Sequence, residues 1–284
     1  MDEYQDWIGK SVSVSDEITA APLDALSATL DRDDAPAKHG TAVPPMWHLL
    51  YFVPKYRPSE MRHDGHAAGG EFTPPIKLPR RMWAGSRFEW INANPLRVGD
   101  AVKRISRIAS ITPKTGKSGD LVFLKTVHEF HNDSGLSFVN EHTSVYRGES
   151  KSVGSNTASS NESATLPQPI WQRELTPDEI LLFRYSALTF NAHRIHYDWK
   201  YATEKEGYPT ILVQGPLIAT LLLDLLRRQK PDAAVRSLEF KAVRPSFAGR
   251  ILKLNGRQDG HQVSLWSQDD EGRLAMSANA ELEH

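Results

Sequence analysis

One segment of the sequence limits the possible folds more than any other. From Gly215 to Leu226 the apolar side chains cover nearly the whole circumference of a helix instead of a single stripe. A helix of this kind in a globular protein must be surrounded by other elements on most sides. Pro216 suits the first helical turn, and Pro231 after a basic stretch favours an end there. The sequence therefore predicts a central, buried helix, far shorter than the roughly 20 apolar residues that cross a membrane.

Predicted strands lie on both sides of this helix in the chain. After it, alternating residues indicate four antiparallel strands, at residues 236–243, 250–255, 261–267 and 273–280. Before it, the first half of the chain shows one helix and four strands, at residues 22–30, 81–90, 101–112, 120–131 and 136–146. A buried helix wrapped by an antiparallel sheet is the arrangement of a hot-dog domain. The element order thus predicts an α+β protein with a double hot-dog fold.

The composition changes abruptly at residues 148–168. This stretch is rich in Ser, Thr, Asn and Gly and has almost no large apolar side chain. Such a segment cannot bury enough surface to offset its ordering entropy. We therefore predict a flexible linker at 148–168, between an N-terminal domain at residues 1–147 and a C-terminal domain at residues 169–284.

Charge and cysteine content exclude several classes of protein. Lys and Arg number 34 against 35 Asp and Glu, so the basic excess of a nucleic-acid binder is absent. There is no cysteine, which excludes disulfides, cysteine nucleophiles and thiolate metal sites. The acidic N-terminus has no apolar core behind it and is not a signal peptide. We expect a cytoplasmic protein without membrane contact, most simply a homodimer.

Shorter signals mark local structure in and around the second half. Thr176, with Pro177 after it and Glu179 three residues on, predicts a capped helix that runs to about Phe190. Asp198 and Gly207 predict the start and the end of a shorter helix. A Gly-Lys-Ser sequence at residues 116–118 lies between two predicted strands and lacks the upstream glycine of a phosphate-binding loop. We interpret it as a hairpin loop.

Residues 189–198 carry the most chemistry in the chain. Two histidines, His193 and His196, lie three residues apart beside Asn191 and Asp198. They could be hydrogen-bonded surface residues, with Asp198 acting only as a helix cap. They could also bind a metal ion, although no third ligand is close in sequence. As a third interpretation, a neutral histidine can accept a proton from water near pH 7.

The sequence around this motif resembles the MaoC-like hydratase family. The similar segments are residues 183–198, 206–209 and 214–217, together with 44–47, 69–75 and 80–85 in the first half. Within the family, they are most similar to the branch of type 2 hydroxyacyl-thioester dehydratases and of 3-methylfumaryl-CoA (mesaconyl-CoA) and itaconyl-CoA hydratases. The resemblance covers most of the chain, with the linker as the main gap.

The resemblance implies an enzyme that adds water reversibly across the double bond of an acyl-CoA, without a metal or cofactor. In the family an Asp and a His five residues apart hold the reacting water. His196 falls on the histidine, but Asn191 falls on the position of the Asp. Asn cannot exchange a proton at neutral pH. Either His196 carries the proton in both directions, with a pKa near its ordinary value of about 6.5, or His193 or a residue from elsewhere assists it.

Gly215, at the start of the buried helix, is a candidate partner for the thioester oxygen. Free N–H groups and the helix dipole favour negative charge there, and a glycine allows close approach of a substrate. Alternatively, Gly215 is no more than a helix cap before a proline.

The branch resemblance implies a short dicarboxylic substrate, 3-methylfumaryl-CoA or itaconyl-CoA, with citramalyl-CoA as product. Its free carboxylate needs a cation, and arginine has the matching fork geometry. Four arginines are candidates that the sequence does not rank: Arg80, Arg81, Arg184 and Arg194. Two other activities stay open, a 3-hydroxyacyl-thioester dehydratase of fatty-acid metabolism and an acyl-CoA thioesterase, because one fold hosts many reactions.

Overall fold

The computed structural model describes residues 4–68, 72–116, 119–148 and 166–283. The predicted linker lies almost entirely outside these ranges, so its mobility and the domain boundaries beside it stay predictions. Within the described residues, no helix is long and apolar enough to cross a membrane.

In the described part of the chain, ten strands form one antiparallel sheet. The first five are β1 (Ser11–Glu17), β2 (Arg80–Trp90), β3 (Ala101–Gly116), β4 (Gly119–Asn132) and β5 (Gly135–Arg147). The other five are β6 (Trp171–Leu175), β7 (Val235–Ala242), β8 (Leu252–Asp259), β9 (Gln262–Gln268) and β10 (Leu274–Leu282). Their order across the sheet is β1-β3-β4-β5-β2-β7-β10-β9-β8-β6. The strands before and after the predicted linker therefore form two five-stranded halves.

The two halves meet where β2 pairs with β7. Residues Gly85–Glu89 of β2 lie opposite Ser237–Lys241 of β7. A side chain at Gly85 is excluded, because its Cβ would lie 2.4 Å from the carbonyl oxygen of Phe240. The close approach of the two backbones thus joins both halves into a continuous sheet.

The described residues also form three α-helices: α1 (Ala20–Thr29), α2 (Glu179–Thr189) and α3 (Gly215–Gln229). Every residue of α3 from Leu217 to Leu226 is buried. Strands β6, β8, β9 and β10 all contact this helix. The prediction of a buried central helix is therefore confirmed, and the chain has the predicted α+β double hot-dog fold.

Some local predictions differ from the structure. The cap of α2 is Asp178, whose side chain accepts a hydrogen bond from the Leu181 N–H, so the prediction of Thr176 as the cap is wrong. Strands β1 and β6 lie at the two edges of the sheet and were not predicted. Val12 and Val14 of β1 are both 39% exposed, so neither face of β1 is buried. The sequence of β1 therefore lacks the alternation of apolar and polar residues that predicts a strand. The predicted hairpin loop includes residues 117 and 118, which lie outside the described residues, and strands β3 and β4 on either side of them pair antiparallel.

A buried carboxylate on α3 holds three cations. Asp224 is 4% exposed in the middle of the apolar helix. One carboxylate oxygen lies 2.6 Å from Arg32, and the other lies 2.7 Å from both Arg173 and Arg228. Arg32 precedes β2, whereas Arg173 belongs to β6. The carboxylate therefore ties the first half of the chain to the second through the core helix.

Candidate active site

A cavity of about 910 Å³ lies between the N-terminal half of the sheet and the beginning of the C-terminal half. Trp83 and His128 line it from β2 and β4, and Tyr185 lines it from α2. Asn191 of the histidine motif and Pro216 at the start of α3 complete this wall. Residues from both halves of the chain thus line the same cavity.

The end of α2 positions Asn191. Phe190 has the left-handed φ of 50° that ends the helix, and the Asn191 N–H then donates to the Ser186 carbonyl at 2.8 Å. The side-chain oxygen of Asn191 accepts from the His193 N–H at 3.1 Å. Because that oxygen holds the turn, only the NH₂ group of Asn191 is left to donate to a molecule in the cavity.

His196 is a neutral, buried imidazole. Its Nδ1 lies 2.9 Å from the Leu212 carbonyl oxygen. A carbonyl only accepts, so Nδ1 carries the proton and Nε2 keeps a lone pair. Burial lowers the pKa of His196 to about 4, helped by His66 and opposed by the hydrogen bond to Leu212. The expectation of a pKa near 6.5 is therefore wrong, because the ring is only 9% exposed.

His193 connects His196 to the wall of the cavity. Its ring centre lies 5.3 Å from that of His196 and 4.0 Å from that of His66. Burial, followed by the charges of His66 and His196, lowers the pKa of His193 to about 2. Of these three rings, His66 alone lines the cavity, whereas His193 and His196 are absent from the described lining.

Asp64 and His66 form a carboxylate–imidazole pair that sequence reasoning missed. The Asp64 carboxylate accepts from the His66 N–H at 2.9 Å and lies 3.3 Å from His66 Nδ1. Burial alone would raise the pKa of Asp64, but the hydrogen bonds from His66 and the charge of Arg62 hold it below its usual range. Only the Asp-Gly-His sequence itself could have signalled this pair, and nothing in it indicates contact with a motif in the other half.

Gly65 allows this loop to contact the motif. Its φ is +89°, and a Cβ there would lie 1.8 Å from the Ala192 carbonyl oxygen. The neighbouring Asp64 carbonyl accepts from the Arg194 N–H at 2.9 Å. The backbone of the loop therefore packs directly on the backbone of the histidine motif.

We expect Gly65→Ala to displace the loop and to lower activity. A shift of about 1 Å in a positioned group can cost up to about 10²-fold in rate, so kcat should fall between about 10-fold and 10²-fold. Gly40→Ala is the matched control: its φ is +82° but no atom lies within 4 Å of the added Cβ. The control should lose about 1 kcal/mol of stability from backbone strain and keep its rate. Equal rates for both variants would contradict the contact.

The other predicted site residues are spread widely. Gly215 is the first residue of α3, and no protein atom lies within 4 Å of a Cβ added there. Among the four candidate arginines, the structure brings one to the cavity, Arg81. Arg80 lies 3.5 Å from Glu206, Arg194 pairs with Asp198 at 2.7 Å, and Arg184 is exposed on α2.

A metal ion has no evident ligand set in this region. Among the residues that the structure describes, no three His, Asp or Glu side chains are grouped so that they could hold one.

Comparison with known proteins assigns the family. The model of the family described as hydroxyacyl-thioester dehydratase type 2 matches residues 46–248. The chain belongs to this family. The family resemblance seen in the motif is thereby confirmed. Relatives of the chain are named as a hydratase and a dehydratase. The chain is therefore a hydro-lyase.

Two relatives are similar along nearly their whole length. The mesaconyl-C(4)-CoA hydratase of Chloroflexus aurantiacus is 38% identical over 283 residues, which cover 99% of this chain and 98% of the relative. The mitochondrial hydroxyacyl-thioester dehydratase type 2 of Schizosaccharomyces pombe is 27% identical, with 90% of this chain and 92% of the relative covered.

Solved structures share the fold at low sequence identity. A MaoC-like dehydratase has a TM-score of 0.74 at 12% identity, with 99% of each chain covered. HtdX of Mycobacterium tuberculosis has a TM-score of 0.67 at 18% identity, covering 96% of this chain and 100% of its own. A further Mycobacterium tuberculosis protein with a double hotdog fold has a TM-score of 0.57 at 11% identity, covering 97% and 96%.

Proposed function

We propose that this hydro-lyase hydrates a short unsaturated dicarboxylic acyl-CoA, 3-methylfumaryl-CoA (mesaconyl-C(4)-CoA) or itaconyl-CoA, to citramalyl-CoA. The observation that carries the proposal is the 38% identity to a mesaconyl-C(4)-CoA hydratase over 99% of the chain. The cavity adds support, because Asn191 from the histidine motif and Pro216 from the start of α3 lie on the same wall.

In this proposal His196, which is buried next to the cavity lining, accepts the proton of a reacting water that enters from the cavity. Its Nε2 lone pair takes the proton while the water oxygen bonds to the β-carbon of the substrate. The electrons of the double bond move towards the thioester oxygen, which gives an enolate. A proton then adds to the α-carbon, so one water is consumed and no other reactant is needed. Burial suits this role because it keeps His196 neutral at physiological pH.

Asp64 and His66 supply the carboxylate that Asn191 cannot supply. Asp64 orients the His66 ring through Nδ1, which leaves Nε2 for proton exchange at the cavity wall. His193 lies in contact with both His66 and His196. We infer that the proton accepted by His196 passes by way of this histidine cluster to His66, which lines the cavity, and from there to the α-carbon.

The start of α3 stabilises the enolate oxygen. The first N–H groups of a helix have no partner within the helix, and its dipole favours negative charge there. A Cβ at Gly215 would meet no protein atom, and its φ is not in the left-handed region. Neither protein packing nor backbone strain therefore requires a glycine, whereas close approach of a substrate does. One such donor is worth about 2.7–4 kcal/mol in an oxyanion site.

A second candidate is the dehydration of a 3-hydroxyacyl thioester in fatty-acid metabolism. The family description and the Schizosaccharomyces pombe relative favour it. A thioesterase is less well supported, because hydrolysis needs a carboxylate aimed at the thioester carbonyl. Asn191 stands at that place, with its oxygen already accepting from the His193 N–H.

A panel of enoyl-CoAs tests the proposal. We expect the conjugated absorbance of 3-methylfumaryl-CoA to fall, and itaconyl-CoA to give citramalyl-CoA, in both cases with no release of free thiol. Faster hydration of longer, plain enoyl-CoAs would support the fatty-acid alternative instead. Release of thiol at the rate of absorbance loss would identify a thioesterase and refute the hydratase.

A further inference from the structure

The inner face of the N-terminal sheet is unusually polar. Alternation should place apolar side chains at the inward positions of a buried sheet. Here, however, Arg104 of β3, His128 of β4, and Asn140 and His142 of β5 all line the cavity. In the strand register, His128 lies opposite Asn140. These polar side chains lie among apolar lining residues such as Trp83 and Phe130, so this part of the wall offers hydrogen bonds to a polar acyl group.

The histidines of this wall are neutral hydrogen-bonding groups. His128 Nδ1 lies 2.7 Å from the Ser106 hydroxyl, and His142 Nε2 lies 2.9 Å from the Ser144 hydroxyl. Burial, followed by the charge of Arg104, lowers the pKa of His128 to about 4. Burial also lowers the pKa of His142 to about 3. Arg104 is therefore the charged group on this part of the wall.

Among the residues that the structure describes, no carboxylate lies within ion-pair distance of Arg104, and Asp16 and Tyr56 act on its charge only from farther away. Its Nε–H is buried and finds no hydrogen-bond acceptor there. Its guanidinium lies 5.2 Å over the ring of Phe52. The three arginines around Asp224 show the usual arrangement, in which a buried guanidinium is paired with a carboxylate. An unpaired cation in a cavity is costly unless a ligand supplies the anion.

We propose that Arg104 binds the free carboxylate of the substrate's acyl group, and that this wall selects acyl-CoAs carrying such a carboxylate. The inference rests on the proposed function for the identity of the thioester, but not for the existence of the anion site. The guanidinium donates two N–H groups to the two carboxylate oxygens, and neutral His128 beside it adds no competing charge. The carboxylate then fixes which part of the acyl group faces the histidine motif.

Arg81 is the other arginine on the lining, but it suits this role less well. Its side chain is exposed, and its guanidinium lies 5.8 Å from the ring of Tyr146. Solvent therefore screens its charge, whereas the charge of Arg104 acts in a site from which water is largely excluded. Arg104 was also absent from the candidates that the sequence suggested.

Substrate selectivity of Arg104 variants tests the inference. Two thioesters serve as substrates, 3-methylfumaryl-CoA and 2-butenoyl-CoA, which lacks the carboxylate. They are assayed with the original chain, with Arg104→Met and Arg104→Lys, and with the control Arg107→Met. Arg107 is exposed on the same strand. We expect Arg104→Met to lower kcat/KM for 3-methylfumaryl-CoA between about 10-fold and 10²-fold and to change that for 2-butenoyl-CoA less than twofold. Arg104→Lys should be intermediate, and Arg107→Met should match the original chain.

A binding measurement keeps the test independent of catalysis. The free dicarboxylate 2-methylfumarate should raise the Tm of the original chain and of Arg107→Met but not that of Arg104→Met. The comparison is made at concentrations where 2-butenoate has no effect. Equal losses on both thioesters would overturn the inference and leave the hydratase intact. If the original chain hydrates neither thioester, the proposed function fails, and the methylfumarate result alone decides the anion site. No Tm response in the original chain would overturn the site.

Discussion

Replacing His196 by Asn should lower kcat by about 10²–10⁴-fold, the range for loss of a general base. An Asn amide can still donate to the Leu212 carbonyl as Nδ1 does now, so the fold should survive while the Nε2 lone pair is lost. Steady-state kinetics with the preferred enoyl-CoA measure the loss. His131→Asn is the matched control, because His131 pairs with Glu129 on β4 and does not line the cavity. Its kcat should change less than twofold.

The pH dependence of kcat/KM distinguishes a catalytic role of His196 from a purely structural one. The neutral form of His196 is the base, and this form is lost as the pH falls through its pKa of about 4. The acidic arm of kcat/KM should therefore lie near pH 4, with a flat region from there towards neutral pH. An arm near pH 6.5 would mean that an exposed histidine limits the reaction. Near-normal turnover of His196→Asn would remove this residue from the mechanism.

Asp224→Asn should strongly destabilise the folded chain. The carboxylate is 4% exposed, and three guanidiniums lie within 2.7 Å of its oxygens. Removing its charge leaves these cations facing one another in a region with little water. Breaking a buried ion pair from one side costs about 3–5 kcal/mol. Urea unfolding at neutral pH measures the difference in the free energy of unfolding.

The control for this variant is Glu174→Gln. Glu174 pairs with Lys253 at 3.4 Å, and its side chain is 59% exposed. Exposed pairs contribute about 0–1 kcal/mol, so this variant should unfold almost as the original chain does. If Asp224→Asn costs no more than Glu174→Gln, the arginines around Asp224 find other partners and the carboxylate does not join the two halves.

The sequence predicted the elements whose pattern is local. The apolar circumference of residues 215–226 could only be a buried helix, and the alternating strands after it had to cover that helix. The same reasoning failed for β1, because both faces of an edge strand are partly exposed and the hydrophobic period is lost. It also placed the cap of α2 at Thr176 instead of Asp178, since both residue types accept the same hydrogen bond.

The site was predictable only in part, for a related reason. The family motif led to His196 and Asn191, which are close in sequence and are positioned by one turn after α2. The pKa of His196 was not predictable, because burial by residues from distant segments determines it. The sequence did not predict Asp64 and His66, because their role depends on a backbone contact between two halves of the chain.

By itself, the sequence determined the double hot-dog fold, the family and the histidine motif, since each depends on periodicity or on residues within a few positions of one another. The tertiary structure decided which side chains share the cavity. It placed Arg104 there and left Arg80, Arg184 and Arg194 elsewhere, although all four are arginines in ordinary local sequence. The physical reason is that strand register and burial, which no short segment encodes, decide whether a cation meets a carboxylate, solvent or an open cavity.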